Sequence, residues 1–394
     1  MQICNIISVQ DERLMDVRVS GSIITRTVTG GSYDQDSIAS IHFENAIAFP
    51  GLINSHDHLD FNCFPALGNR TYNNYAEWGK YIHSNYRNEI NAVLQIPVSL
   101  RASWGMYKNL IAGITTVVNH GDELQVKEPQ IKIIQDVQNL HSVKNEAGWK
   151  RKLNNPIAKK KYCVIHVGEG RDAESYKEIN EILKWNFFKR KLIAIHGVAM
   201  TASQAMRFKA IVWCPESNRF LLGIDAPVKE LKQQTLIVLG TDSTLTVNWN
   251  IWNHIRLARQ TRQAKDTEIF EMLTGSPSSL WNLNKGKIAA GKDADIIVAE
   301  RKCGNAMDSF FATNPEDILL VMQEGNIRLF DTSISQQLDV PGFEINRYRP
   351  VYINNREKWV PKEMINLITS IHAINDAVDF PCSLLKYDQP VAIL

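Results

Sequence analysis

Phe49-Pro50-Gly51-Leu52-Ile53-Asn54-Ser55-His56-Asp57-His58-Leu59 is the stretch on which the reading of the fold turns. The apolar run Ala48–Ile53 has the length of a buried strand, and it breaks at once into Ser55-His56-Asp57-His58. Five later apolar runs repeat the pattern. Ile114–Val118 ends in Asn119-His120, Tyr162–Ile165 in His166, and Leu192–Ile195 in His196. Ala210–Cys214 runs into Pro215–Asn218, and Leu236–Leu239 into Thr241-Asp242. Longer helix-like stretches separate these runs, which is the βα alternation of a parallel sheet or barrel. In such architectures the carboxyl ends of the strands converge on one face, so six polar endings in a row predict a site there.

Outward from this region the character changes. Met15–Val19, Ser22–Val28 and Ile38–Phe49 are rich in β-branched residues. After Trp281 the runs Gly286–Val298, Ile318–Val321 and Gly325–Phe330 read as hairpin strands. The two ends of the chain are therefore expected to meet in a small β-domain beside a central barrel. Beyond residue 335 the one clear signal is a helix-like stretch over Pro361–Ile374.

Composition excludes several classes. Lys+Arg 44 against Asp+Glu 42, a formal net charge of +2, supplies no global basic field for nucleic acid. The run Lys159-Lys160-Lys161 directly precedes an apolar strand and reads as a solvated strand start. No apolar stretch approaches the ~20 residues of a membrane span, and Met1–Val9 lacks the basic region of a signal peptide. The six cysteines are scattered without a C-x-x-C, and Cys163 and Cys214 sit in apolar runs as core residues. A cytoplasmic, reduced protein is expected, with no nucleic-acid or membrane partner. Asn69-Arg70-Thr71 is then a sequon without consequence.

A catalytic divalent ion needs three or four N/O ligands and one open position. His56 and His58, two apart at a strand end, can reach one ion. His166 closes the next candidate strand, with Glu169 three residues on, and metal–water chemistry needs such a carboxylate to move protons. His196 ends a further strand. Asp242 is open to two readings, ligand or helix N-cap. Gly286-x4-Gly291-Lys292 imitates a phosphate loop, but Asp293 stands where Ser or Thr is needed and no parallel strand precedes it. His42, His83, His254 and His372 lie outside any strand-end group.

Taken in order, His-x-His, His-x-x-Glu, a strand-end His, Cys-Pro-Glu-Ser-Asn and Gly-Thr-Asp resemble the amidohydrolase superfamily, most closely its deaminase and chlorohydrolase branch. Gly113-Ile-Thr-Thr-Val117 and Ala290-Gly-Lys-Asp-Ala-Asp-Ile-Ile-Val298 extend the resemblance over roughly residues 40–330. It implies an α/β fold: a TIM-like (β/α)8 barrel over 51–284, with a small β-sandwich built from 1–50 and 285–335. Residues 336–394 become an extension packing on barrel or β-domain. It also implies one divalent metal, zinc with iron(II) as the alternative, held by His56, His58, His166 and Asp242. Glu169, His196 and Asp242 become the catalytic set, with His196 contacting substrate or water. Trp78, Asn119, His120, His141 and Asn218 are the substrate-contact candidates, and the aromatic loop from Asp60 to about Asn91 is expected to cap the pocket.

The implied reaction is hydrolysis of a C–N bond in a small, flat heterocycle by a metal-activated water. Ring opening of a cyclic amide or imidazolone is the alternative, and a non-catalytic scaffold the reading of another class. A homo-oligomer follows by analogy. The sequence departs from the family between His120 and Tyr162. About 40 residues lie there, where two βα units would take ~30 each. Gln138–Val143 is read as the third strand, with the fourth shortened or lost and the barrel distorted.

Overall fold

The computed structural model describes residues 1–30, 39–338 and 342–384. Contacts divide the chain into two compact units, Met1–Gly51 with Asn109–Thr115 and Lys287–Leu394, and Leu52–Lys108 with Thr116–Gly286.

The first unit is built on nine strands in one hydrogen-bonded series. Gln2–Ser8 pairs in parallel with Ser40–Pro50, which pairs antiparallel with Ile296–Glu300. Strands from both parts of the sequence thus interleave. The apolar face of this sheet, including Ile3, Ile6, Val17, Ile41, Ile296, Leu320 and Phe330, is its core. Tyr348–Ile353 and Arg356–Pro361 add a hairpin at one edge, ahead of a helix over Lys362–His372. The sequence signalled the helix and not the hairpin, in which Tyr348, Val351 and Trp359 are interspersed with charged residues. Where a sandwich was expected, the described strands form this single series. Ile38, expected to open a strand, lies outside the described residues.

Ala48–Ile53, read as one strand, is two. The chain leaves the nine-stranded sheet at Gly51, where a Cβ would lie 2.2 Å from the Thr115 hydroxyl. Past it begins the first of eight parallel strands of the second unit, labelled here in chain order. They are β1 (Leu52–Asp57), β2 (Ile114–Asn119), β3 (Lys132–Ile134) and β4 (Gln138–Ser142). β5 (Cys163–Val167), β6 (Leu192–His196), β7 (Ala210–Trp213) and β8 (Leu236–Leu239) follow. β1 to β3 form one sheet and β4 to β8 another, each in sequence order. Residues such as Ile53, Val164, Ile193, Ile195, Val212 and Val238 share one apolar core.

The shortage after His120 falls elsewhere than expected. Gln138–Ser142 is the fourth parallel strand, paired with β5, and the third is only Lys132–Ile134. Three residues, 135 to 137, join them, so the helix of that unit is what the short segment gives up.

Candidate metal centre

His56 lies on β1 and His58 just past it, His166 on β5, His196 at the end of β6, and Asp242 three residues beyond β8. The main chain brings the first and last strands together: Thr241 and Asp242 both donate their N–H to His56 O, at 3.1 and 3.0 Å. Gly240 permits this approach, because a Cβ there would lie 2.7 Å from His56 Cβ and 2.8 Å from Val212. His196 and Asp242 both adopt left-handed backbone conformations, φ 69° and 64°. Such φ values are uncommon outside glycine and cluster at functional sites.

Four donor atoms converge. His166 Nε2 lies 3.3 Å from both His58 Nε2 and His56 Nε2. Asp242 Oδ1 lies 3.7 Å from His56 Nε2 and 3.8 Å from His58 Nε2. Zinc–nitrogen bonds of about 2.0–2.1 Å in a tetrahedron give ligand–ligand edges of roughly 3.3 Å, so this spacing suits a cation at the centre. The tautomer agrees. His166 Nδ1 donates to His141 O at 2.8 Å, which leaves a lone pair on Nε2 facing the other two rings. The residues therefore fit a divalent ion: His56, His58 and His166 form one group of three that could hold it, and His56, His196 and Asp242 another.

Burial favours the neutral form of His58 and His166, as ligation requires. Burial, with His56 close by, lowers His58 to about 3. His166 is held well below its ordinary range by burial and by the neighbouring histidines. Burial acts against ionisation of Asp242. The adjacent His56, with His58 and His196, outweighs it and holds the carboxyl well below the usual range. Ser217 Oγ and Thr246 Oγ1 donate to Asp242 Oδ2 at 2.8 and 3.2 Å, and Ser243 N donates to Oδ1. That leaves Oδ1 facing the histidines.

Glu169 is the opposite case. Burial, then the charges of Asp242 and Glu178, push its carboxyl well above the ordinary range. Its Oε1 lies 3.6 Å from His196 Nε2. His196 Nδ1 faces Asn218 Oδ1 at 2.9 Å, and Asn218 Nδ2 donates to Asp225 Oδ1. The same Asp225 oxygen accepts from Trp213 Nε1 and Ala226 N. A carboxylate offers no donor, so Asp225 fixes the Asn218 amide with its oxygen toward His196. The hydrogen of His196 is therefore on Nδ1. Nε2 of the neutral ring is an acceptor, buried and without a hydrogen-bond partner among the described residues.

A cavity opens over this group. His58, His166, Glu169, His196 and Asp242 face it, and Phe61, Tyr75, Trp78, His141 and Leu245 contribute to its walls. Tyr75 and Trp78 stand on the helix Tyr75–Asn85, whose start is tied to the end of β5 by Tyr75 N to Glu169 O. Trp78 gives its indole N–H to Leu67 O, so its ring meets the cavity as an apolar surface.

The remaining substrate candidates are placed behind the site. Asn119 accepts from Leu59 N and donates to Asp122 O and Gln135. Asn218 is taken up by His196 and Asp225. His120 is buried against His166, ring centroids 4.4 Å apart, and neither ring nitrogen has a hydrogen-bond partner among the described residues. Sequence reading missed Thr246, Asp225 and Lys108. Lys108 is buried and donates to Asp57 Oδ2 at 2.7 Å, between the two first-strand histidines. Ser217 carried a signal in Cys-Pro-Glu-Ser-Asn; Asp225 and Lys108 carried none.

Residues 157–328 match the family described as Amidohydrolase family. A 5-methylthioadenosine/S-adenosylhomocysteine deaminase of Thermococcus sibiricus is 31% identical over 161 residues, 36% of this chain and 38% of the relative. A 5'-deoxyadenosine deaminase of Methanococcus aeolicus is 22% identical over 318 residues, covering 65% of this chain and 74% of the relative. The solved structure of an atrazine chlorohydrolase from Arthrobacter aurescens, complexed with zinc, superposes with a TM-score of 0.68 at 14% identity. That match covers 95% of this chain and 99% of the other.

Proposed function

We propose that the chain is a member of the amidohydrolase superfamily that hydrolyses a C–N bond in a small, flat heterocycle, releasing ammonia or an amine. The observation that carries this reading is Glu169, a buried carboxyl lining the cavity beside His58, His166, His196 and Asp242, whose ionisation burial disfavours. A proton-bearing carboxyl is what a departing nitrogen needs, because the amide anion is too basic to leave unprotonated.

His56, His58, His166 and Asp242 would hold one divalent ion, zinc by the donor chemistry. Such an ion lowers the pKa of a bound water from 15.7 toward about 7. The rest falls to side chains. Glu169 gives its proton to a ring nitrogen of the substrate as the water oxygen bonds to the adjacent sp² carbon. The resulting carboxylate takes one proton from the water and passes it to the exocyclic nitrogen, which leaves as ammonia, and then takes the remaining hydroxyl proton as the carbonyl forms, which restores its acid form. His196 Nε2, an acceptor in the neutral ring, receives a hydrogen bond from the water and orients its attack. That makes the water the partner of His196, one of the two contacts that the resemblance implies for it. Phe61, Tyr75 and Trp78 supply flat apolar walls suited to a conjugated ring.

The test couples metal content to ammonia release from a panel of aminopurines, aminopyrimidines and aminotriazines. Wild type is expected to carry one zinc or iron per chain and to release ammonia from at least one panel member. Glu169→Gln should keep the metal and lose roughly 10²–10⁴-fold in turnover. Near-normal turnover in that variant would sink the role given to Glu169. His56→Ala/His58→Ala should lose metal and activity together.

A further inference from the structure

Residues 149–161 and 184–191 contain ten Lys or Arg and no Asp or Glu, although the chain as a whole is balanced. The fold joins them. Asn154 Nδ2 donates to Trp185 O and its Oδ1 accepts from Phe187 N. Arg190, itself buried, donates to Leu153 O and Lys161 O and so clamps the first segment against the second. The joined surface lies at the amino-terminal ends of β5 and β6, which begin at Cys163 and Leu192, away from the strand ends that carry the histidines.

Two features distinguish it. Ile157 is 92% exposed and Phe187 65%, with Phe188 beside them at 41%. Lys159 lies over the Phe188 ring at 5.7 Å, and Lys160, Lys184 and Lys189 on the same two segments are exposed. The basic groups are also largely uncompensated: acidic partners from outside reach Lys152 (Glu146) and Lys161 (Asp136). The remaining exposed ones, such as Lys160, Lys184 and Lys189, have no ion-pair partner among the described residues.

We propose that this surface docks on an anionic lipid bilayer, with Ile157, Phe187 and Phe188 entering the interface and the lysines meeting the headgroups. Exposed aliphatic and aromatic side chains among exposed lysines match the combination that holds peripheral proteins to acidic membranes. Nucleic acid fits less well. Two of the aromatic faces that could stack on bases carry ammonium groups, Lys150 over Trp185 at 4.0 Å and Lys159 over Phe188 at 5.7 Å, which leaves Phe187 alone. The exposed set is also lysine but for Arg151, where base reading favours several arginine forks. A second copy pairing face to face would set like charges against each other.

The full chain is floated with vesicles of phosphatidylcholine alone and of phosphatidylcholine with phosphatidylserine. Binding is expected on the anionic vesicles only, and it should fall as salt rises. Lys159→Gln/Lys160→Gln should weaken it roughly twentyfold, at about fivefold per lysine near the surface. Ile157→Ser/Phe187→Ser should abolish stable binding at unchanged charge. Both variants lie on the surface, and unaltered circular dichroism will confirm that they fold. Equal or no binding to the two vesicle types overturns the proposal. So does tight binding of a single-stranded oligonucleotide with none to vesicles. A self-associated species that Ile157→Ser/Phe187→Ser dissociates, again without vesicle binding, overturns it as well.

Discussion

At their carboxyl ends β5 and β6 deliver His166 and His196 into a buried cluster, while at their amino ends the same strands begin behind Lys161-Tyr162 and Lys191 in open solvent. Ionisable groups crowd both ends, and water separates their behaviour. Where it is excluded, His58 and His196 fall to about 3 and about 4, chiefly through burial, and Glu169 moves the other way. Those groups hold or accept ligands because they are uncharged or proton-bearing. At the solvated end the lysines keep their charge, which makes that surface suitable for a polyanion and useless for ligating a cation. One set of strands thus carries two chemistries, selected by burial.

The comparison can be broken most severely from beneath the buried end. Lys108 and Asp57 form an ion pair with both side chains essentially inaccessible, and Asp57 lies between two of the proposed ligands. Lys108→Met would leave that carboxylate uncompensated. A loss of about 3–5 kcal/mol in chemical unfolding is expected, with weakened zinc retention against a chelator. Retention and stability both unchanged would mean that the pair does not support the centre.

A second handle is pH. Burial pushes the Glu178 carboxyl up to about 7, against an ordinary 4.5, despite a hydrogen bond from Gly168 N. A carboxyl whose folded pKa is raised favours folding while protonated. Its contribution is complete below pH 4.5 and disappears as pH rises to about 7. Urea titrations across that window should show wild type losing up to about 3 kcal/mol relative to Glu178→Gln. Parallel curves for the two proteins would remove Glu178 as the cause.

A smaller effect should come from Asp225→Asn, which ends the preference for one orientation of the Asn218 amide. About tenfold is expected in kcat with little change in KM, on the scale of one hydrogen bond. Nitrogen NMR of the metal-free protein should show the His196 proton spreading from Nδ1 to Nε2. A proton that stays on Nδ1 at unchanged kcat would show that Asp225 does not set the tautomer. The smallest effect belongs to the solvated end: Lys159→Gln/Lys160→Gln should leave kcat/KM for a soluble substrate within about twofold, since neither residue lines the cavity. A larger loss would couple the two ends and erase the contrast.

Much of this was legible before any coordinates. Apolar runs of strand length are a local property, and a strand's last residues are local too, so His56, His58, His166, His196 and Asp242 could be read off strand ends. The boundaries that failed had non-local causes. Ala48–Ile53 divides at Gly51 because of Thr115, and the short segment after His120 still accommodates two strands because one βα unit gives up its helix.

What the sequence by itself determined is the set of chemically capable residues and their order along parallel strands, because hydrophobic periodicity and strand termination are written within a few neighbouring positions. The tertiary structure alone decided which atoms those residues present. Asp242 turns Oδ1 inward because Ser217 and Thr246 hold its other oxygen, and His196 presents a lone pair because Asp225, through Asn218, takes the other side of its ring. It also gathered two basic segments more than twenty residues apart into one surface. Such pairings depend on side chains brought together across the fold, and no local pattern encodes them.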